Sequence, residues 1–424
     1  TKTLPHEPPI LIEMQKYRNW RGEALRCRRG WASFGGAVFY RLTAALYLCG
    51  INNRAMAHRF ATKPSGTLLT YQLNDPLLID VDGSHVNVKL VAMGTYTILS
   101  ETYYSHSGQA SIYDLGDLIE DYLRANDKCY ETFRLSLIND TGTTTDSLSL
   151  KAIHCDRYSV CTDVGYFLEQ NFLTTLDTRR IAPDAYIMLP FFLKARASNT
   201  RTFLCKFRRF ATSQILTYSF DIEAAPQTND TISSVNIAVA DIIYKIRTAL
   251  SLDESQISLH SFTIRVDQRS ATFFIDNSLL AKDSFTFKNC FNVWDQVFLP
   301  HSTTANTEAE RSVATILQQD IQYDHRATQS FETETGPLTS DEAEWLSQFV
   351  TSREITRQAP NPCDDSEPYV AKPVLITSAT CEMADTDEQP NRLKITWRYA
   401  DRRPHVTLAA SQSIFTSPFD ATYS

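Results

Sequence analysis

Residues 392–399, RLKITWRY, alternate without a break: Leu393, Ile395, Trp397 and Tyr399 share one side of an extended chain, and Arg392, Lys394, Thr396 and Arg398 share the other. A half-buried strand requires this period of two, because successive side chains leave a pleated backbone on opposite faces. The same period recurs at Val86, Val88 and Leu90, at Phe133, Leu135 and Leu137, and at Phe203, Cys205 and Phe207. It returns at Leu216, Tyr218, Phe220 and Ile222, and at Val235, Ile237 and Val239. Residues 187–192, together with Val374 and Ile376, add further strand candidates. So many runs commit most of the chain to sheets. Phe (23) and Tyr (19) far outnumber Met (5), which suits pleated, half-buried surfaces better than a helical bundle. The expected fold class is mainly β, with tandem β-sandwich-like domains and a few short helices. The 13 glycines are too few for collagen-like, Gly-linker or Gly-rich propeller architectures, and Trp294-Asp295 is a lone dipeptide without blade periodicity.

Three segments switch to the helical period. Leu115, Leu118, Ile119, Tyr122 and Leu123 follow i, i+3, i+4, i+7, i+8, with Asp114 in place as N-cap. Ile242, Ile243, Ile246 and Leu250 form a second such stretch. Thr339 and Glu342 spell a capping box ahead of Trp345, Leu346, Phe349 and Val350. Residues 164–176 carry apolar residues at mixed spacing and receive no assignment. Two hairpins are expected. One runs through residues 97–104, turns at Ser107-Gly108 and returns through Ile112; the other runs through Phe262, Ile264 and Val266, turns at residues 267–270 and returns through Phe273 and Ile275. Phe285, Phe287 and residues 291–298 are expected to extend the latter sheet.

At about 150 residues per domain, a chain of 424 residues holds about two to four domains. The polar stretch 224–230, AAPQTND, is the best central linker. The blocks read as a basic N-terminal extension (1–66), a β domain closed by a short helix (67–126), a β domain (127–225), a β-rich domain with one helix (226–330) and a C-terminal α+β block (331–424). Residues 1–63 hold 11 Lys/Arg against 3 Asp/Glu, leaving 30 against 46 for the remainder. Arg18, Arg21, Arg26, Arg28 and Arg29, interleaved with Trp20 and Trp31, fit a nucleic-acid or membrane-surface arm. The preferred readings are plainer: an extension that wraps a partner subunit, or an upstream stretch outside the folded protein, since Met56 opens a plausible shorter chain.

The residues that carry chemistry elsewhere do not converge on an active site. The cysteines, Cys27, Cys49, Cys129, Cys155, Cys161, Cys205, Cys290, Cys363 and Cys381, are odd in number and lack CxxC spacing, which indicates reduced, mostly buried thiols. The spacing of Cys155 and Cys161 matches no common zinc site. None of the nine histidines falls in HExxH spacing. His154 beside Cys155 invites a dyad, but neighbours on a strand face opposite ways. No G-x-S-x-G elbow, Walker loop or G-x-G-x-x-G is present. The acidic clusters Asp364-Asp365-Glu367 and Asp385-Asp387-Glu388 sit in polar loops and read as solvated surface, although paired carboxylates keep glycoside hydrolysis as a third, weaker class. Trp345 and Trp397 read as core. Asn139 and Asn229 match N-x-T, which acquires meaning only with export, and nothing in the sequence directs export or supplies 18 consecutive apolar residues for a membrane span. The sequence therefore assigns no catalytic, cofactor-binding or metal-ligating residue, and the expected class is not an enzyme.

Three C-terminal stretches, FKNCFNVWDQVFL (287–299), TGPLTSDEAEWLSQFVTS (335–352) and NRLKITWRYADRRP (391–404), resemble motifs in tail proteins of phages and prophages of anaerobic gut bacteria. Residues 98–123, with SETYY and D-L-x-D-L-I-x-x-Y-L, and residues 170–180 are similar to the same family, so the resemblance covers about residues 68–404. It implies a structural component of the tail tip or baseplate, assembled in the bacterial cytoplasm and located in the virion tail. Its expected partners are further copies in a ring and other tail proteins, with a host-surface glycan as a further candidate and nucleic acid not expected. A ring needs heterologous contacts between β domains that expose edges or arms. The alternative is a carbohydrate-binding or adhesin-like module.

Overall fold

The computed structural model describes residues 57–92, 96–157, 163–253, 256–280, 284–299, 303–360, 369–382 and 390–401. The expectations for residues 1–56, for Cys161 and Cys363, and for the acidic clusters at 364–367 and 385–388 lie outside them. The described chain is mainly β, with several sheets and four α-helices. Among the described residues no helix is long and apolar enough to cross a membrane.

Two sheets enclose the first core. One has the order β1 (Arg59–Phe60), β3 (Leu77–Asp80), β6 (Gln109–Ile112). The other has the order β2 (Thr67–Leu69), β8 (Thr144–Ile153), β7 (Tyr130–Ile138), β4 (His85–Ala92), β5 (Thr97–Tyr104). The alternating Val86, Val88, Leu90 and Leu135 meet Ile79 and Ile112, and helix α1 (Leu115–Ala125) adds Leu115, Ile119 and Leu123. Asp114 stands at φ 57° and makes no capping bond, contrary to expectation. Asn74 takes over from a neighbouring turn: its Oδ1 accepts from the Asp117 N–H at 3.0 Å. That approach is close enough that a Cβ on Gly116 would overlap the Thr70 carbonyl oxygen and the Asn74 side chain, so the glycine is required by packing.

The expected hairpin at 97–112 is corrected. The chain does turn at Ser107 and Gly108, both at positive φ. However, β5 pairs with β4 while β6 pairs with β3, so the turn carries the chain from one sheet to the other. Local alternation specifies a strand but not its partner.

The second core lies on the five-stranded sheet β12 (Ile215–Glu223), β11 (Thr200–Arg209), β14 (Ile257–Val266), β15 (Arg269–Ile275), β9 (Thr178–Ile181). The paired strands β10 (Tyr186–Leu193) and β13 (Thr231–Ala238) and helix α3 (Val239–Leu250) complete it, with Phe203, Phe262, Phe191 and Ile246 fully buried. The β14–β15 hairpin forms as its alternation predicts. The unassigned stretch opens with helix α2 (Val164–Gln170), whose N-cap Asp163 accepts from the Tyr166 N–H at 3.0 Å. The buried Arg269 holds its far end by donating to the Leu168 and Asn171 carbonyls.

The third core belongs to a seven-stranded sheet. Its order is β17 (Trp294–Phe298), β16 (Ser284–Lys288), β20 (Ile355–Pro360), β21 (Tyr369–Glu382), β22 (Arg392–Tyr399), β19 (Gln319–Glu334), β18 (Thr303–Ile316). Hence β16 pairs with β17 on one side and β20 on the other, and neither β16 nor β17 extends the β14–β15 sheet. Helix α4 (Ser340–Thr351) covers the sheet, and its capping box is complete: Glu342 N–H donates to Thr339 Oγ1 at 3.2 Å and Thr339 N–H to Glu342 Oε2 at 2.9 Å. Leu393, Ile395 and Trp397 point inward as the alternation of β22 requires.

The second and third cores are joined by a buried ion pair. Arg179 on β9 and Asp295 on β17 are 6% and 2% exposed at their side chains. Asp295 also accepts from Thr174 Oγ1 at 2.8 Å and from Trp345 Nε1 at 3.1 Å, and the Arg179 guanidinium lies 4.7 Å from the Trp345 ring.

Candidate functional site

Two places in the fold carry features that packing alone does not require. The first is a β-ribbon. Strands β18 and β19 pair along their whole length, but β19 pairs with β22 only from Phe331 to Glu334. Beyond Phe331 the two strands run as a free two-stranded arm, about 35 Å long at about 3.4 Å per residue. The described side chains of residues 306–322 are exposed or half-buried on both faces, so no core holds this part together. Its base is clamped by aromatic packing. Phe331 stacks on Trp397 with ring centroids 4.4 Å apart, Tyr399 meets both edge-on, and Trp397 Nε1 donates to Thr333 Oγ1 at 3.1 Å.

The tip of the arm is apolar and conformationally costly. Leu317 and Gln318 both stand at positive φ, 50° and 65°, which is the left-handed pair a tight hairpin turn needs and which Asn-Gly normally supplies. Leu317 is 93% exposed, with Val313 and Ile321 exposed behind it. A long, unprotected edge strand is a template for pairing with another chain, and isolated two-stranded ribbons are marginal in water. The β18 edge carries Glu308, Glu310 and Arg311 but neither proline nor lysine to blunt it.

The second place is the junction where the three cores meet. A fourth buried cluster there gathers Cys129, Cys155, Cys290, Phe192, Phe291 and Leu168. The tight turn between β16 and β17 is pinned from several sides: Asn289 Nδ2 donates to the Leu173 carbonyl at 2.8 Å, and Cys290 N–H to Gln348 Oε1 at 3.2 Å. Asn292 Nδ2 donates to the Lys128 carbonyl at 3.0 Å, and Lys288 Nζ pairs with Asp127 at 2.5 Å. Beside this turn lies a cavity of about 270 Å³ whose lining includes Glu120, Arg124, His154, Cys290, Lys288 and Arg353.

His154 and Cys155 follow the end of β8, so the expected strand geometry does not hold there. The two side chains are nonetheless engaged separately. The His154 ring reaches the Cys290 carbonyl through Nδ1 at 3.0 Å. A carbonyl only accepts, so Nδ1 carries the proton and Nε2 keeps a lone pair. Nε2 is buried and has no hydrogen-bond partner among the described residues. Burial holds the imidazole below its ordinary pKa, so the ring is neutral near pH 7. Cys155 is held below the usual thiol range first by a hydrogen bond from the Cys290 thiol, and Cys290 is raised by the same bond and by burial. Burial alone pushes Cys205, in the second core, up to about 12. Burial also raises the Glu120 carboxyl on the cavity wall.

Among the described residues no three His, Cys, Asp or Glu side chains gather where they could hold a metal ion. Trp345 and Trp397 are buried, as expected from their positions on α4 and β22. Asn139 is spent on a turn, accepting from the Thr141 and Thr143 N–H groups. Sequence reasoning missed the ribbon because its alternation is polar on both faces and its turn lacks glycine. It missed the junction because that depends on contacts between residues more than a hundred positions apart.

No family model matches the chain, and no curated protein matches it. Among solved structures the chain is similar to the crystal structure of calcium binding domain CBD12 of CALX1.1, at 10% identity and a TM-score of 0.16, over 52% of this chain and 99% of that one.

Proposed function

We propose that the chain is a non-enzymatic structural subunit of a phage or prophage tail, at the distal tail or baseplate, and that the β18–β19 ribbon is its contact arm. The observation that carries this reading is the ribbon itself: a double strand that leaves its sheet at Phe331, has no buried side chain from 306 to 322 among those described, and ends on an exposed Leu317. Such an arm loses backbone solvation and gains cross-strand pairing only when another chain lies along it. The stretches that carry the family resemblance add weight, because they contribute the β16–β17 turn, helix α4 and strand β22, which form the sheet from which the ribbon springs. Neighbouring copies that exchange arms head to tail would close into a ring.

A carbohydrate-binding or adhesin-like role draws less support. A groove of about 510 Å³ includes Tyr130 and Trp294 in its lining, but Lys288 Nζ stands 4.6 Å over the Trp294 ring, on a face that a sugar would need. Light scattering on the full chain across a concentration series tests the assembly reading. A discrete oligomer is expected, and a chain that stays monomeric at high concentration counts against it.

A further inference from the structure

The junction gathers two thiols from distant parts of the chain in one buried cluster. Cys155 follows β8 and Cys290 sits in the β16–β17 turn; the pKa of each thiol is shifted first by the other's side chain, and Cys155 Sγ donates to the Arg157 carbonyl at 3.2 Å. The backbones are held together from both sides of Cys155. The His154 ring donates to the Cys290 carbonyl at 3.0 Å, and the Asp156 N–H donates to the same oxygen at 3.2 Å. The rigid turn around Cys290 leaves it little freedom to withdraw, since Asn289 Oδ1 accepts from Phe291 N–H at 3.0 Å and Gln348 holds the Cys290 N–H. Both sulfurs are buried, but Cys290 lines the 270 Å³ cavity, which is roomy enough for molecules the size of water or peroxide.

The geometry points to Cys155 and Cys290 as an oxidation site, a latent disulfide that a small peroxide entering the junction cavity closes. The reaction balances with hydrogen peroxide as oxidant. The Cys290 sulfur attacks one peroxide oxygen, the O–O bond breaks, and the departing hydroxide takes the thiol proton to become water, leaving a sulfenic acid on Cys290. Cys155 then attacks the Cys290 sulfur, the S–O bond breaks, and the hydroxide leaves with the Cys155 proton as a second water. Two thiols lose two electrons, and one peroxide becomes two waters. Access assigns the roles: Cys290, which lines the cavity, meets the oxidant first, and Cys155, which does not line it, resolves. The bond ties the end of β8 in the first sheet system to the β16–β17 turn in the third. Cys205, alone among the second-core side chains as a thiol, is the internal control. The inference is independent of the assembly reading.

The test uses the full native chain and hydrogen peroxide. After quenching, the chain is denatured, remaining thiols are alkylated, and unreduced digests are mapped by mass spectrometry. The expected product is one linked pair of peptides containing Cys155 and Cys290, lighter than their sum by two hydrogens, with Cys205 still alkylated. In Cys155→Ala, dimedone is expected to trap Cys290 as its sulfenic adduct, with loss of the linked pair. Linkage of Cys155 to Cys129 or Cys161 overturns the proposal. So does recovery of both junction thiols, fully alkylated, at peroxide doses that oxidise a small-molecule thiol. The native-chain map stands on its own should the variant fail to fold.

Discussion

Replacing Asp295 with alanine tests the joint between the second and third cores. The substitution leaves the Arg179 guanidinium buried without its counter-ion, and strips an acceptor from Thr174 Oγ1, Trp345 Nε1 and the Gln296 N–H. Breaking a buried pair from one side costs about 3–5 kcal/mol, because the surviving charge stays desolvated. Arg179→Met should cost a similar amount, since it removes the same interaction from the other side. The double variant should cost far less than the sum, because neither charge remains; a coupling energy of about 2–3 kcal/mol is expected, within the usual range for residues in contact. Urea unfolding followed by tryptophan emission reads this directly, because Trp345 belongs to the network. At a slope of about 3 kcal/mol per molar urea, each single variant lowers the midpoint by roughly 1 M or more. A loss below about 1 kcal/mol in Asp295→Ala, or additive single and double variants, would refute the claim that this pair fastens the two cores.

Two further predictions concern the junction and helix α4. His154 and His58 both have pKa values lowered by burial, so the unfolded chain takes up protons first as pH falls. Their contribution to stability is complete above the unfolded value of 6.5 and is lost as pH falls from there toward the lower folded values. The urea midpoint should therefore drop between about pH 7.5 and 5.5, and His154→Gln should shallow that drop; a midpoint that is flat or rises on acidification contradicts the assignment. Thr339→Ala removes one half of the capping box and should cost about 1 kcal/mol, measured as a shift of the same urea transition, while Thr339→Ser should cost little.

Much of the architecture was legible because it is written at short range. The strand at 392–399, the Thr339–Glu342 capping box, the helix after Val239 and the β14–β15 hairpin all follow from periods of two or 3.6 and from local turn residues. What was not legible depends on distant partners. Asp114 looks like a cap in sequence, but Asn74 holds that position in space. Residues 97–112 look like a hairpin, but their two strands belong to different sheets. Residues 291–298 lie close to β15 in sequence, yet pair within the sheet that contains β20. The ribbon is the clearest case. With no buried face, its strands carry Thr, Glu, Gln and Asp where a packed strand would carry apolar residues, and its Leu317-Gln318 turn gives no glycine signal. The cysteines read in sequence as reduced, mostly buried thiols, and only the fold brings Cys155 to Cys290.

Hydrogen exchange on the ribbon, compared between dilute and concentrated full chain, tests the central claim most directly. Alternate amides of β18, the edge strand of its sheet, point away from β19 and have no strand partner among the described residues, so they exchange freely in the monomer. If the ribbon is a contact arm, those outward amides and the Leu317 tip slow markedly on assembly, and Leu317→Glu weakens both the protection and the oligomer. An oligomer that forms while residues 306–322 keep exchanging as they do in the dilute chain would contradict the account.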